Sequence, residues 1–145
     1  MSSLQRGRRL WWRATRPPAD GVHAAPLTPS GDLVLVRLTY AHGWRLPGGG
    51  RGRDEDPGSA ALRELREEIG LTRHGAVEDA CGFVHEPDFR RTTERLFIVR
   101  DVHFRPPWLS LEVAEVQAFS LERLPSDLAP VTTRQLEALG LLAQN

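Results

Sequence analysis

The chain has 145 residues, which suits one domain with one core. Its 19 basic and 19 acidic residues balance to a formal net charge of zero, so total charge points to neither nucleic acid nor membrane. The single cysteine, Cys81, excludes an intrachain disulfide and predicts a reducing compartment. No apolar stretch is long enough to span a bilayer and no secretory signal opens the chain, so a cytoplasmic location is expected.

Residues 1–20 read as an arm, with Arg6, Arg8, Arg9, Arg13 and Arg16 around Trp11 and Trp12 and Pro17-Pro18 closing it. Residues 21–145 read as a single domain. Val22–Leu27 is a candidate first strand, and the Pro29–Asp32 segment is a turn. Leu33–Leu38 is β-branched and apolar and predicts a buried strand. After a turn at His42-Gly43, a short strand over Trp44–Leu46 feeds a turn made of Pro47-Gly48-Gly49-Gly50. Asp56 is placed to cap a helix, Pro57 suits its first turn and Gly70 ends it. Strands are expected over Ala76–His85, Thr92–Val102 and Val113–Phe119, with a polar loop over Glu86–Arg91. Helical spacing of Leu136, Leu139 and Leu142 predicts a helix over Val131–Ala143. That order gives a mixed α/β class, a sheet flanked by helices.

The segment Gly49–Leu71 carries the chemistry. A helix advances about 100° per residue, so with Glu64 as origin Glu67 lies roughly 60° to one side and Glu68 roughly 40° to the other. All three carboxylates share one face, and Ala60 on that face leaves room for a ligand. Leu62, Leu65 and Ile69 fall on the other side and are expected to bury. Glu64 and Glu68, spaced i,i+4, repel unless a counter-charge is present. Carboxylate oxygens select hard cations such as Mg²⁺ or Mn²⁺. Zinc is not expected, because His23, His42, His74, His85 and His103 lack ligand spacing. Geometry alone leaves a solvated acidic face open. The glycine run is neither a P-loop nor a dinucleotide fingerprint.

Gly49, Glu55, Arg63-Glu64-Leu65, Glu67-Glu68 and Gly70-Leu71 match the Nudix box at every defined position: a glycine, five residues, a glutamate, seven residues, then Arg-Glu-apolar-x-Glu-Glu-x-Gly-apolar. The chain therefore resembles the Nudix hydrolase family. Trp44–Gly49 is similar to the usual lead-in, and Glu112–Phe119 with Leu124-Pro125 to a common late strand. The loop departs from the common form, with Gly52 where a glutamate is frequent and Asp54 where a glycine is frequent.

The resemblance implies an α/β/α sandwich with a central mixed β-sheet. It also implies divalent-metal-dependent hydrolysis of a nucleoside diphosphate linked to a group X, such as a nucleoside triphosphate, ADP-ribose or a nucleotide sugar. Carried over by position, Glu64, Glu67, Glu68 and the carbonyl of Gly49 hold Mg²⁺, or Mn²⁺ in its place, while Arg63 and Glu55 brace loop and helix. A glutamate outside the box serves as base or further ligand, with Glu112 first and Glu115 second. Arg51 and Arg53 are candidates for phosphate contact. Two other functions stay open: a nucleotide-binding or regulatory module without turnover, and an RNA 5′-end pyrophosphohydrolase using the basic arm. The expected partner is a small-molecule nucleotide, with nucleic acid only as the minority alternative, no membrane, and a homodimer left open. Specificity is expected around Tyr40–His42, Glu86–Arg91 and Phe104–Trp108; Pro87 hints at ADP-ribose, and Phe89 and Trp108 are candidates to stack on a base.

Overall fold

The computed structural model describes residues 20–85 and 92–142. The arm up to residue 19, the loop 86–91 with Pro87 and Phe89, and residues 143–145 lie outside them. Nine strands and two helices are present among the described residues: β1 (Asp20–Pro26), β2 (Leu33–Leu38), β3 (Trp44–Arg45), β4 (Gly48–Gly50), α1 (Pro57–Glu68), β5 (Leu71–Arg73), β6 (Val77–His85), β7 (Thr92–Val99), β8 (His103–Phe104), β9 (Val113–Phe119) and α2 (Pro130–Ala138). A mixed sheet runs β4-β1-β7-β6, with β1 and β7 parallel and the other neighbours antiparallel. An antiparallel sheet runs β3-β2-β9, and β5 pairs with β8.

Alternation along the strands builds the core on two faces. Val22 and Ala24 of β1, Val34 and Val36 of β2, and Phe97 and Val99 of β7 pack with Ala60, Ala61, Leu65 and Ile69 on the α1 side. Their neighbours Ala25, Leu33, Leu35 and Ile98 pack with Leu136 of α2. Strand β2 is buried on both faces, which is why Leu33–Val36 is continuously apolar. The result is the expected α/β/α arrangement around a mixed sheet. Among the described residues no helix is long and apolar enough to cross a membrane.

Several elements differ from the sequence expectation. The glycine run is a strand, not a turn: Gly48, Gly49 and Gly50 pair with His23, Val22 and Gly21. Strand β7 stops at Val99; Asp101 takes a positive φ of 52° and a separate short strand, β8, follows. Helix α2 ends at Ala138, and Gly140 at φ 71° turns the chain away. Strands β5 and β8 are too short to carry a periodic signal. Ala60 is fully buried in the core and leaves no room for a ligand.

Helix α1 is bounded as its caps predict. Asp56 Oδ2 accepts from the amide of Ser59 at 3.0 Å, and Pro57 opens the first turn. Gly70 leaves the helix at φ 75°, and a Cβ there would overlap the carbonyl oxygen of Arg105. Left-handed strain alone costs about 1–3 kcal/mol for a non-glycine residue. Gly70→Ala is therefore expected to lower stability by at least about 2 kcal/mol, read as a fall in the urea midpoint at unchanged slope. A midpoint within error of the parent protein would mean that β5 and β8 yield freely at this contact.

Candidate active site

The outer edge of β4 faces α1. The bonds from the Ala24 amide to Pro47 O and from the Arg51 amide to Asp20 O bracket the β1–β4 pairing. Alternation then puts Gly49 in a hydrogen-bonded pair with Val22, so its carbonyl points at β1. The polar groups of Gly48 and Gly50 point the other way. The Gly48 amide donates to Glu68 Oε2 at 3.1 Å, and Gly50 O accepts from Arg63 Nη2 at 3.1 Å. The carbonyls turned toward the glutamate helix are thus those of Gly48 and Gly50. Sequence position had pointed to Gly49.

Arg63 ties the site together. Its Nε and Nη2 donate to the two carboxylate oxygens of Glu55 at 2.7 and 2.8 Å, a bidentate fork. Its Nη1 donates to Glu64 at 3.2 Å and reaches Glu67 at 3.5 Å. Glu55 also accepts from the Gly52 amide at 3.0 Å, which fixes the loop that Gly52 and Asp54 make unusual. The expected bracing of loop and helix by Arg63 and Glu55 is the geometry seen.

The glutamate face is not solvated. Glu64 and Glu68 are each 1% exposed, and the Glu67 side chain is largely buried. Glu112 is also buried, at 4%, one residue before Val113, which is the register partner of Leu38. Glu115 is exposed and faces Arg37 at 3.6 Å. Of the two late glutamates, Glu112 is thus buried and Glu115 exposed. Arg51 lies 3.4 Å from Asp20, and Arg53 is exposed.

A cleft of about 290 Å³ lies beside β4, bordered by the end of β2 and by β3. It is lined by His23, Leu38, Tyr40, Ala41, Arg45, Leu46, Gly48–Gly50 and Glu68. Tyr40 was anticipated. His23 and Arg45 were not, and nothing in their spacing marks them. Phe104 packs on the core, and Trp108 is 96% exposed outside the cleft lining. In this arrangement, among the described residues, no three acidic, His or Cys side chains already enclose a common point. Glu55, Glu64 and Glu67 face Arg63, and Glu68 faces Gly48. The donor set is all oxygen and largely buried, and one guanidinium serves two of its carboxylates, Glu64 and Glu67, together with Glu55. That chemistry fits a hard cation.

The Arg63 hydrogen bonds hold the Glu55 carboxyl down at about 2, against an ordinary 4.5, with burial opposing the shift and the Gly52 amide adding to it. The Glu55 carboxylate in turn raises Arg63 further above its ordinary range. A carboxyl depressed on folding stabilises the protein above its unfolded value and loses that contribution as pH falls from about 4.5 toward 2. At this partly exposed position the contribution is about 1–2 kcal/mol after solvent screening. Glu55→Gln is expected to be less stable at neutral pH, with the gap closing between about pH 4.5 and 2 in denaturant titrations. A gap independent of pH would assign the loss to packing.

A model of the NUDIX domain matches residues 17–139. An RNA pyrophosphohydrolase of Acidiphilium cryptum is 43% identical over 61 residues, 39% of this chain and 37% of that protein. One of Brucella ovis is 45% identical over 42 residues, 29% of this chain and 24% of that protein. The matches thus span well under half the length of these curated relatives. Among solved structures, a MutT NUDIX hydrolase from Burkholderia pseudomallei superposes with a TM-score of 0.72 at 23% identity, covering 86% of this chain and 99% of that one. The NUDIX domain of Shewanella oneidensis NrtR, complexed with ADP ribose, gives 0.67 at 18% identity, over 95% and 96%. At these identities the likeness is one of fold.

Proposed function

The chain belongs to the Nudix family, and from that premise we propose that it is a divalent-metal-dependent pyrophosphohydrolase cleaving the diphosphate of a nucleoside diphosphate linked to a group X. The observation that carries this is the burial of Glu64 and Glu68 on the α1 face that meets the glycine strand edge. Buried carboxylates are costly unless compensated. A face needed only for solubility would have been left in water. Mg²⁺ is the proposed ion, with Mn²⁺ as substitute. Glu64, Glu67 and Glu68 would hold it, with a carbonyl from the α1-facing edge of β4 in place of that of Gly49. When bound, such an ion neutralises phosphate oxygens and lowers the pKa of water.

The chain's own residues supply the rest. Arg63 fixes Glu64 and Glu67 in orientation and clamps the Gly52–Glu55 loop to α1. The bare backbone of β4 lets a diphosphate approach without side-chain obstruction. Water attacks one phosphorus, a P–O bond forms, the anhydride P–O bond breaks, and the water proton passes to a carboxylate, for which Glu112 is proposed. Arg53, exposed beside the site, is proposed to meet phosphate, and Arg51 would do so from its contact with Asp20.

A second reading has specific support. The RNA pyrophosphohydrolases that match over 61 and 42 residues suggest a triphosphorylated RNA 5′ end as X-bearing substrate, with the same bond broken. Phosphate release would be measured for nucleoside triphosphates, ADP-ribose, nucleotide sugars and a 5′-triphosphorylated oligonucleotide, each with Mg²⁺ and Mn²⁺. Release from the oligonucleotide alone favours the RNA reading. Tight binding without release from any member favours a regulatory module and defeats hydrolysis. Glu67→Gln is expected to lower kcat at least about a hundredfold. Its Tm should move little, because Gln keeps the shape of the side chain and the Arg63 contact it weakens is long, at 3.5 Å. Full turnover in that variant would sink the site assignment.

A further inference from the structure

Glu94 and Gln135 are buried on the α2 side of the sheet, where Gln135 Nε2 donates to Glu94 Oε2 at 3.1 Å and His23 stands beside them. Another polar group outside the chemistry above is turned to solvent, on the ribbon of β5 and β8. Arg73 is the register partner of His103, and its Nη2 lies 3.1 Å from the imidazole Nε2. Arg105 prolongs the ladder, its amide donating to Gly70 O at 2.9 Å. Two residues apart along the chain, His103 and Arg105 point the same way. Leu71 and Phe104 take the other face and pack on the core. Arg66 is exposed one helical turn before Gly70. Among the described residues, Arg66, Arg73 and Arg105 form no ion pair with a carboxylate, whereas Arg37, Arg51, Arg63, Arg95 and Arg100 each face one.

From Arg105 the chain leads past Pro106-Pro107 to Trp108, which is 96% exposed, and on to exposed Leu111. That end is tied to the cleft. Thr39 Oγ1 donates to Leu111 O at 2.8 Å, and the Thr39 amide to Glu112 O at 2.9 Å, next to half-exposed Tyr40 on the cleft wall. A surface of unpaired cations and a bare indole thus runs from the β5–β8 ribbon to the rim of the cleft.

We propose that this surface binds single-stranded RNA whose 5′ end occupies the cleft, with Arg73 and Arg105 on backbone phosphates and Trp108 stacked on a base. The proposal rests on the RNA reading above. Charge complementarity selects the partner: guanidiniums without a carboxylate attract phosphates, and stacking on an indole needs no particular base. Trp108 and these arginines lie outside the cleft lining, so a ligand that meets them extends past the cleft. The chain's own formal net charge is zero, so a second copy brings no matching excess of negative charge.

Fluorescence anisotropy on the full chain with Mg²⁺ would follow a 3′-labelled single-stranded RNA of about ten nucleotides with a 5′-monophosphate, which has no anhydride to cleave. Trp108→Ala is expected to weaken binding about tenfold, and Trp108→Phe, which keeps a ring, to restore most of it. Arg73→Gln combined with Arg105→Gln should make log affinity against log salt shallower by about 1.4, two phosphate contacts at about 0.7 each on a single strand. In turnover of a triphosphorylated oligonucleotide, these variants should raise KM more than they lower kcat. Circular dichroism would confirm folding; should the Ala variant not fold, the salt slope of the arginine pair decides. No binding of the RNA, or binding that all these substitutions leave unchanged, would overturn the proposal. Equal affinity for inorganic polyphosphate would mark charge attraction alone and overturn it too, as would a dimer of the chain that Trp108→Ala dissociates. Variant-sensitive binding without phosphate release from the triphosphorylated oligonucleotide would sink only the RNA hydrolase reading. Release alongside binding that ignores the variants would sink only this one.

Discussion

Arg63 is the group on which the site depends. Strand β4 is three glycines at the edge of a sheet, with no side chain to pack and a row of backbone groups to satisfy. Helix α1 satisfies them: Glu68 takes the Gly48 amide, and the Arg63 guanidinium takes the Gly50 carbonyl. The same guanidinium reaches Glu55, Glu64 and Glu67. Only a planar fork with five donors can serve a carbonyl and three carboxylates at once; an ammonium on a flexible stem has three donors and no fixed plane. The crowding of carboxylates and the exposure of bare backbone are therefore one problem with one solution.

That dependence explains why the box was legible in the sequence. Helical spacing alone put Glu64, Glu67 and Glu68 on one face, while the Glu55–Arg63 clamp was expected only through the resemblance to the Nudix box. Spacing did not say whether the face met water. Burial of Glu64 and Glu68 is decided by β4 and by the strands beneath, none of which the helix pattern contains. The glycine run shows the converse limit. A turn and an edge strand made of glycines carry the same local signal, and only pairing with β1 distinguishes them. Strands β5 and β8 were invisible because two or three residues hold barely one repeat of the two-residue strand period, too little to form a pattern. The strands that pack on both faces, β2 above all, were the easiest to read, since each of their residues reports burial.

His23, Glu94 and Gln135 were illegible for a different reason. They come from β1, β7 and α2, far apart in sequence, and meet only because β1 and β7 pair in parallel and α2 covers their outer face. Register puts His23 opposite Leu96, so the contact with Glu94 runs diagonally, two residues along the strand. No spacing rule encodes a three-element contact. A lone histidine in a strand reads as an ordinary polar residue until its partners are placed.

The two groups of polar residues stand on opposite faces of one sheet. Glu55, Arg63, Glu64, Glu67 and Glu68 belong to the α1 side, and His23, Glu94 and Gln135 to the α2 side, with the cleft opening at the edge where β4 ends the sheet. The groups approach each other at β4, whose glycines carry no side chain that a substitution on one face would push into the other. Residues with no shared partner respond to change nearly independently. The fold thus keeps the carboxylate cluster and the His23, Glu94 and Gln135 group largely apart, and Gly48, which touches both Glu68 and His23, is the point where that separation ends.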